Sequence, residues 1–318
     1  MIRALKFGLQ HPNFSFDGEG PQIVDKLRNL VGRAESYGFD SFWVMDHFHQ
    51  IRNVGEPQEP MLEGWTTQAV VAGFMNKIKL GTLVTGVVYR HPSVLAKIGA
   101  TLDVLSKGRL IMGIGAAWNM DEATAYGIPF PAVKERMLRL EEAVQIIKMM
   151  WTEETATFNG KFYELHNAYC NPKPIQKPHP PIMIGGSGER RTLRIVAKYA
   201  DICNLFGSVE TVRKKLEVLR EHCRKVDRDY DSITKSKLGH VVIDKDKVKV
   251  METIGRVPEE RRRALLQGAG LMYGTPEELR RQVEEFRDAG IDFLIVNLEP
   301  DMELQNLDLF ANEVVRKI

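Results

Sequence analysis

The chain has 318 residues, with 44 Lys and Arg against 42 Asp and Glu, 43% hydrophobic residues and 27% charged ones. That length can bury a large core without disulfides or structural metals, and the balanced charge excludes the basic excess that a general nucleic-acid surface needs. Three scattered cysteines (Cys170, Cys203, Cys223), an N-terminus without an apolar signal core and no run near ~20 apolar residues predict a cytoplasmic protein with neither disulfide framework nor membrane span.

In chain order, a β-rich apolar run at 5–10 precedes helical periodicity at 22–37, with Gly38 as its stop signal. A strand at 41–45 leads to a helix at 66–76, then a long strand at 79–88 and a helix at 92–106. The pattern repeats with strand 109–115 and helix 134–151, strand 181–185 and helix 190–197, and strand 201–205 and helix 209–226. It finishes with strand 237–243, helix 276–289, strand 293–297 and helix 304–317. Thr275-Pro276 with Glu278 reads as N-cap, first helical residue and capping box.

Eight strands alternating with eight helices predict a (β/α)8 TIM barrel with insertions, in one domain spanning 1–318. The competing reading is an open doubly wound sheet, against which no GxGxxG follows the first strand. Two insertions interrupt the alternation. The segment 152–180 holds an Asn159-Gly160 hairpin turn flanked by Thr155–Phe158 and Lys161-Phe162-Tyr163 before a proline-rich run. The segment 245–274 is charged, with a helix expected around 258–266, where Arg261-Arg262-Arg263 reads as a solvated face.

A barrel collects function at the C-terminal ends of its strands. The first strand ends in Gln10 and His11, the second in Asp46 and His47, the third in Leu83-Val84-Thr85-Gly86, the fourth in Gly115–Asn119. After the fifth, Gly185-Gly186-Ser187-Gly188 leads into a helix beginning near Glu189, with Arg190 and Arg191 beside it. Glycines turn backbone N–H groups toward a ligand and a helix N-terminus favours an anion, so this loop suits a phosphate; a plain tight turn is the simpler alternative. His47 beside a carboxylate can hold a ring or move a proton near neutral pH, or merely serve the structure. No HExxH, GxSxG or Walker loop is present, and the other histidines show no ligand spacing, so no metal site is expected.

Segments 34–48 (ending Trp43-Val44-Met45-Asp46-His47-Phe48), 62–67, 80–85, Tyr89-Arg90-His91-Pro92, 113–119, 126–131, 169–174 and 184–193 stand in an order that resembles the bacterial-luciferase-like superfamily of flavin- and deazaflavin-dependent oxidoreductases. Within it the chain is most similar to the coenzyme F420-dependent branch, chiefly through Asp46-His47-Phe48. The resemblance implies a bulge with a non-proline cis peptide at Leu83-Val84 behind the cofactor ring. It also implies that Asp46, His47 and Thr85 approach the ring, that Trp118 shapes the pocket, and that Gly185, Gly186, Ser187 and Gly188 take the phosphate with Arg190 nearby. His47 and Asp46 become the catalytic candidates, with Asp46 orienting the histidine or the ring.

Departures matter as well. A Glu that follows the strand-four glycines in F420-dependent sugar-phosphate and alcohol dehydrogenases is replaced by Trp118, and a tryptophan four residues after the family histidine is replaced by Ile51. The expectation is an F420-dependent oxidoreductase acting on another small-molecule substrate, with His47 as the main proton-transfer group. Alternatives are an FMN-dependent monooxygenase needing a flavin reductase partner, and a cofactor-binding protein without turnover. Relatives commonly dimerise, which implies a homodimer.

Overall fold

A computed structural model describes residues 4–15, 20–257, 259–264 and 270–318. In chain order these form β1 (Lys6–His11), α1 (Pro21–Ser36), β2 (Ser41–Val44), α2 (Gly64–Phe74), β3 (Lys79–Thr82), β4 (Thr85–Gly86) and α3 (Pro92–Leu105). Next come β5 (Met112–Gly115), α4 (Met120–Ala125), α5 (Val133–Thr152), β6 (Thr155–Asn159), β7 (Glu164–Tyr169), β8 (Ile182–Gly185), α6 (Thr192–Tyr199), β9 (Ile202–Leu205) and α7 (Val209–Lys225). The chain continues with β10 (Thr234–Ile243), α8 (Lys247–Arg256), α9 (Glu259–Ala264), β11 (Leu271–Gly274), α10 (Pro276–Asp288), β12 (Phe293–Leu298) and α11 (Glu303–Glu313).

The sheet runs β3-β2-β1-β12-β10-β9-β8-β5-β4, all parallel, with β11 added beside the far end of β10. Because β3 and β4 are two halves of one interrupted strand, the path returns on itself, and a parallel bridge between Leu80 and Leu110 draws the seam together. The result is a nearly closed (β/α)8 barrel, as the alternation predicts. Two cores follow from it. One lies between strands and helices, and the other fills the barrel with Trp43, Leu83, Ile111, Met183, Ile202, Phe293 and Ile295. Trp43 is wholly buried, and a Cβ on Gly81 would stand 2.5 Å from its ring, so the indole dictates the glycine beside it.

Several boundaries differ from the sequence expectation for identifiable reasons. The run 79–88 is one apolar stretch but two strands, divided at Leu83-Val84, where the peptide is cis as the resemblance implies. The expected strand 109–115 pairs as β5 only from Met112. β10 starts earlier than expected, at Thr234, since both neighbours extend its ladder: β9 pairs over Thr234–Lys237 and β12 over Ser236–Val241. The 304–317 helix breaks at Val314 into a final 3-10 turn.

The first insertion is the hairpin β6–β7, but Lys161-Phe162-Tyr163 is its loop rather than strand, because the Glu142 carboxylate accepts from the backbone N–H of Lys161 (2.8 Å) and Phe162 (3.0 Å). In the second, α9 covers part of the helix expected around 258–266; Pro258, Leu265 and Leu266 lie outside the described residues. Arg263 of the arginine run pairs with Glu259 at 3.0 Å. The capping box at α10 forms as written in the sequence, with Thr275 and Glu278 exchanging side-chain to backbone hydrogen bonds of 3.0 and 3.4 Å. No helix among the described residues is long and apolar enough to cross a membrane.

Candidate active site

At the C-terminal mouth of the barrel a cavity of about 240 Å³ opens between strands β4, β5, β8 and β9. Its floor is apolar, formed by Leu83 and Val84 with Gly185 directly beside Val84; Gly186, His47, Tyr89 and Trp118 also line it. A Cβ on Gly115 or Gly185 would lie 2.9–3.0 Å from the Val84 methyl groups. The bulged valine can therefore sit close to both strands only because these positions carry no side chain. A flat, bare floor beside a glycine turn suits a planar ring whose tail reaches backbone N–H groups.

The rim carries the chemistry. His47, just past the end of β2, directs Nδ1 to Glu122 Oε2 at 2.7 Å. The same carboxylate accepts from the Tyr89 hydroxyl (2.6 Å) and from the backbone N–H groups of Phe48 (2.5 Å) and His49 (3.3 Å). Burial opposes ionisation of Glu122, but the hydrogen bonds from His47, Tyr89 and Phe48 prevail and hold its carboxyl below the ordinary value. Burial, and then the bond to Glu122, pushes the Tyr89 phenol far up, so it stays a neutral donor. An ionised Glu122 can only accept, so Nδ1 of His47 carries the proton of that bond. Nε2 then faces the cavity with no protein partner among the described residues. This is a carboxylate-oriented histidine, an arrangement suited to general acid–base catalysis.

Asp46 behaves differently from expectation. It is buried and bound end-on by the Arg90 guanidinium, at 2.7 and 3.0 Å, while Arg90 also grips Glu63 at the start of α2. Burial pushes the Asp46 carboxyl above its ordinary value, and the Arg90 charge and hydrogen bonds counter that push. Both carboxylate oxygens are thus committed away from His47. The residue that orients the histidine is Glu122, and Asp46 instead ties the tip of β2 to α2 and α3.

Of the other expected residues, Leu83, Val84, Trp118, Gly185 and Gly186 line the cavity. Trp118 is 58% exposed, with its ring edge-on to His47 at 5.7 Å between centroids. Thr85 lies just behind the floor, its hydroxyl bonded to Trp65 Nε1 (3.0 Å) and Thr82 (2.8 Å). Ser187, Gly188 and Arg190 are outside the lining. α6 starts at Thr192, later than expected, so Glu189–Arg191 form an exposed or half-exposed turn instead of the first helical residues. No lysine or arginine is among the described residues that line the cavity.

Glu122 was missed because its helix was. Asn119 caps α4 by accepting from the Glu122 N–H (3.4 Å), and Asp121 and Glu122 fill its first turn, which is a helix-start signature readable in the sequence. Six residues are too few to show a periodicity, and nothing local says that the carboxylate meets a histidine 75 positions earlier.

The sequence model of the luciferase-like monooxygenase family matches residues 5–270. The chain belongs to that family. An F420-dependent glucose-6-phosphate dehydrogenase from Kineococcus radiotolerans is 29% identical, the alignment covering 91% of this chain and 92% of the relative. The enzyme of the same name from Amycolatopsis mediterranei is 28% identical over 90% and 92%. Among solved structures, an F420-dependent secondary alcohol dehydrogenase holding an F420–acetone adduct superposes with a TM-score of 0.83, at 21% identity over 98% of each chain. An F420-dependent tetrahydromethanopterin reductase from Methanopyrus kandleri gives 0.79, at 20% identity and 99% coverage of each. At these identities the structural matches speak for the barrel fold of this family member.

Proposed function

We propose that this chain is a coenzyme F420-dependent oxidoreductase passing hydride between the deazaflavin and a small, uncharged organic substrate. The observation that carries this reading is the Glu122-held His47, whose Nε2 opens onto a cavity floored by Val84 and flanked by Gly185 and Gly186. The names of the relatives similar along the whole chain support the choice of F420. A bound deazaflavin supplies a carbon centre that takes or gives hydride and reacts poorly with oxygen.

The protein's part follows from its own residues. Leu83 and Val84 present an apolar face that would hold the ring, and the glycine turn at 185–186 would leave room for the tail. As the substrate loses hydride from carbon, His47 Nε2 accepts the accompanying proton from oxygen or nitrogen; in reverse it returns that proton. Glu122 stabilises the imidazolium that exists between the two events. Tyr89 and Trp118 line the space beside His47 and would bound a substrate held there.

The absence of lysine and arginine from the described lining argues against a sugar phosphate, whose dianion needs cationic partners. Glucose 6-phosphate is expected to give no turnover with this chain, despite the relatives that carry its name. The reading includes a cytoplasmic location and a homodimer; sedimentation of the purified protein checks the dimer.

The deciding experiment is a parallel titration of the apo-protein with F420 and FMN, followed by fluorescence quenching. Tight binding of F420 with weak binding of FMN is the expected result. The reverse preference sinks the reading in favour of an FMN-dependent monooxygenase served by a flavin reductase.

A further inference from the structure

Asn204 lines the same cavity from β9, and no expectation from the sequence involves it. It is wholly buried, and its amide orientation is dictated by its neighbours. The Asn204 Nδ2 donates to Ser236 Oγ at 3.0 Å, while the Ser236 hydroxyl spends its single proton on the Cys203 carbonyl, also at 3.0 Å. Ser236 can therefore only accept from Asn204. Turning the amide over would set two acceptors against each other, so the nitrogen stays on Ser236. The amide oxygen, Oδ1, is left buried with no hydrogen-bond partner, which folded proteins seldom tolerate unless a ligand or water supplies the donor.

Its position says which donor. Asn204 is the register partner of Gly185, and its carbonyl accepts from the Gly186 N–H at 3.2 Å. On the other side of Gly185 sits Val84 of the cavity floor. Asn204 thus stands beside the glycine turn and the valine floor, four strands along the sheet from β2, whose tip carries His47. Resting on the F420 reading above, we infer that Asn204 Oδ1 accepts a hydrogen bond from a hydroxyl of the polyol chain joining the cofactor's ring to its phosphate. The donor is an O–H of the linking chain, not the ring imide and not the substrate.

Three probes separate these sources: F420; 5-deazariboflavin, which has the polyol but no phosphate; and 10-methyl-5-deazaflavin, which has the ring alone. Each is titrated by fluorescence quenching, up to its solubility limit, into the full-length wild type and Asn204→Leu. The variant is expected to weaken F420 and 5-deazariboflavin binding about tenfold or more, the size of a lost buried hydrogen bond, with the ring-only probe within about twofold of wild type. Equal weakening for all three would assign the donor to the ring and overturn the inference, as would no weakening for any. If Asn204→Leu fails to fold, as judged by circular dichroism, Asn204→Ala replaces it. Failure of the F420 reading looks different: wild type binds FMN in preference to the deazaflavins. Riboflavin and lumiflavin then make the same comparison, since FMN carries the same polyol.

Discussion

Among the described residues the barrel mouth holds several histidine–glutamate pairs, and two of them, on different sides, are not equivalent. On the side of β2 and α4, His47 gives Nδ1 to Glu122 and keeps Nε2 for the cavity. Across the barrel, His240 of β10 has both ring nitrogens engaged, Nδ1 with Asn297 Oδ1 and Nε2 with Glu299 Oε1, each at 2.5 Å. Asn297 is itself held, donating from Nδ2 to Gln10 Oε1 at 3.0 Å, so the amide oxygen is turned toward the histidine. A histidine with one nitrogen exposed to a cavity can exchange a proton with a ligand. One saturated by the protein holds strands together instead, here β1, β10 and β12. The residue types are the same in both places, and only the number of free nitrogens separates a candidate acid–base group from a structural tie.

Substitution on each side sharpens or breaks that distinction. The largest effect is expected for His47→Asn, with kcat falling about 10³-fold for whatever substrate an F420-coupled screen yields, while melting temperature hardly moves. A His47→Asn enzyme with unchanged kcat would remove this residue from proton transfer. His240→Leu should do the opposite: it takes a hydrogen-bond partner from the buried Glu299 and from Asn297, costing stability on the order of 3 kcal/mol by denaturant unfolding, with kcat of the folded fraction preserved.

Glu122→Gln is next, with a loss of about 10²-fold in kcat, because a glutamine cannot stabilise the imidazolium. It also has a pH signature. Glu122 titrates below its ordinary value of 4.5 in the folded chain, so its contribution to stability is complete above that pH and disappears as the pH falls through the lower, folded value. The stability gap between wild type and Glu122→Gln should therefore narrow in acid; a gap that stays constant there would show that Glu122 is not held ionised.

The smallest expected effect concerns a group outside the mouth. Lys237 of β10 is wholly buried, near the Phe286 ring (4.4 Å) and donating to the Leu238 carbonyl (3.0 Å), and burial pulls its pKa down to about 7. A lysine depressed in the folded state penalises folding fully below pH 7, and that penalty fades as the pH rises toward the ordinary 10.5. Lys237→Met should add about 1–2 kcal/mol near neutral pH and flatten the rise in stability across that window. A variant less stable than wild type at pH 7 would contradict the burial argument.

What the sequence by itself determined is the local and the periodic: alternating strands and helices, the α10 capping box, and, through motif likeness, the bulge at Leu83-Val84 and the histidine at the tip of β2. These depend on residues a few positions apart, whose period and turn chemistry are written contiguously. The tertiary structure alone decided which carboxylate serves His47. Asp46 is its chain neighbour and was the natural choice, yet adjacent residues at a strand tip point different ways, and Arg90 takes both oxygens of Asp46. Glu122 arrives from a six-residue helix because barrel closure brings the ends of β2 and β5 to one rim. The same holds for Asn204, whose unpartnered oxygen exists only because Ser236 and Cys203 settle the amide's orientation across the β9–β10 ladder. Side-chain direction and the pairing of groups distant in the chain are properties of the packed barrel, and there the free nitrogen of His47 was separated from the closed ring of His240.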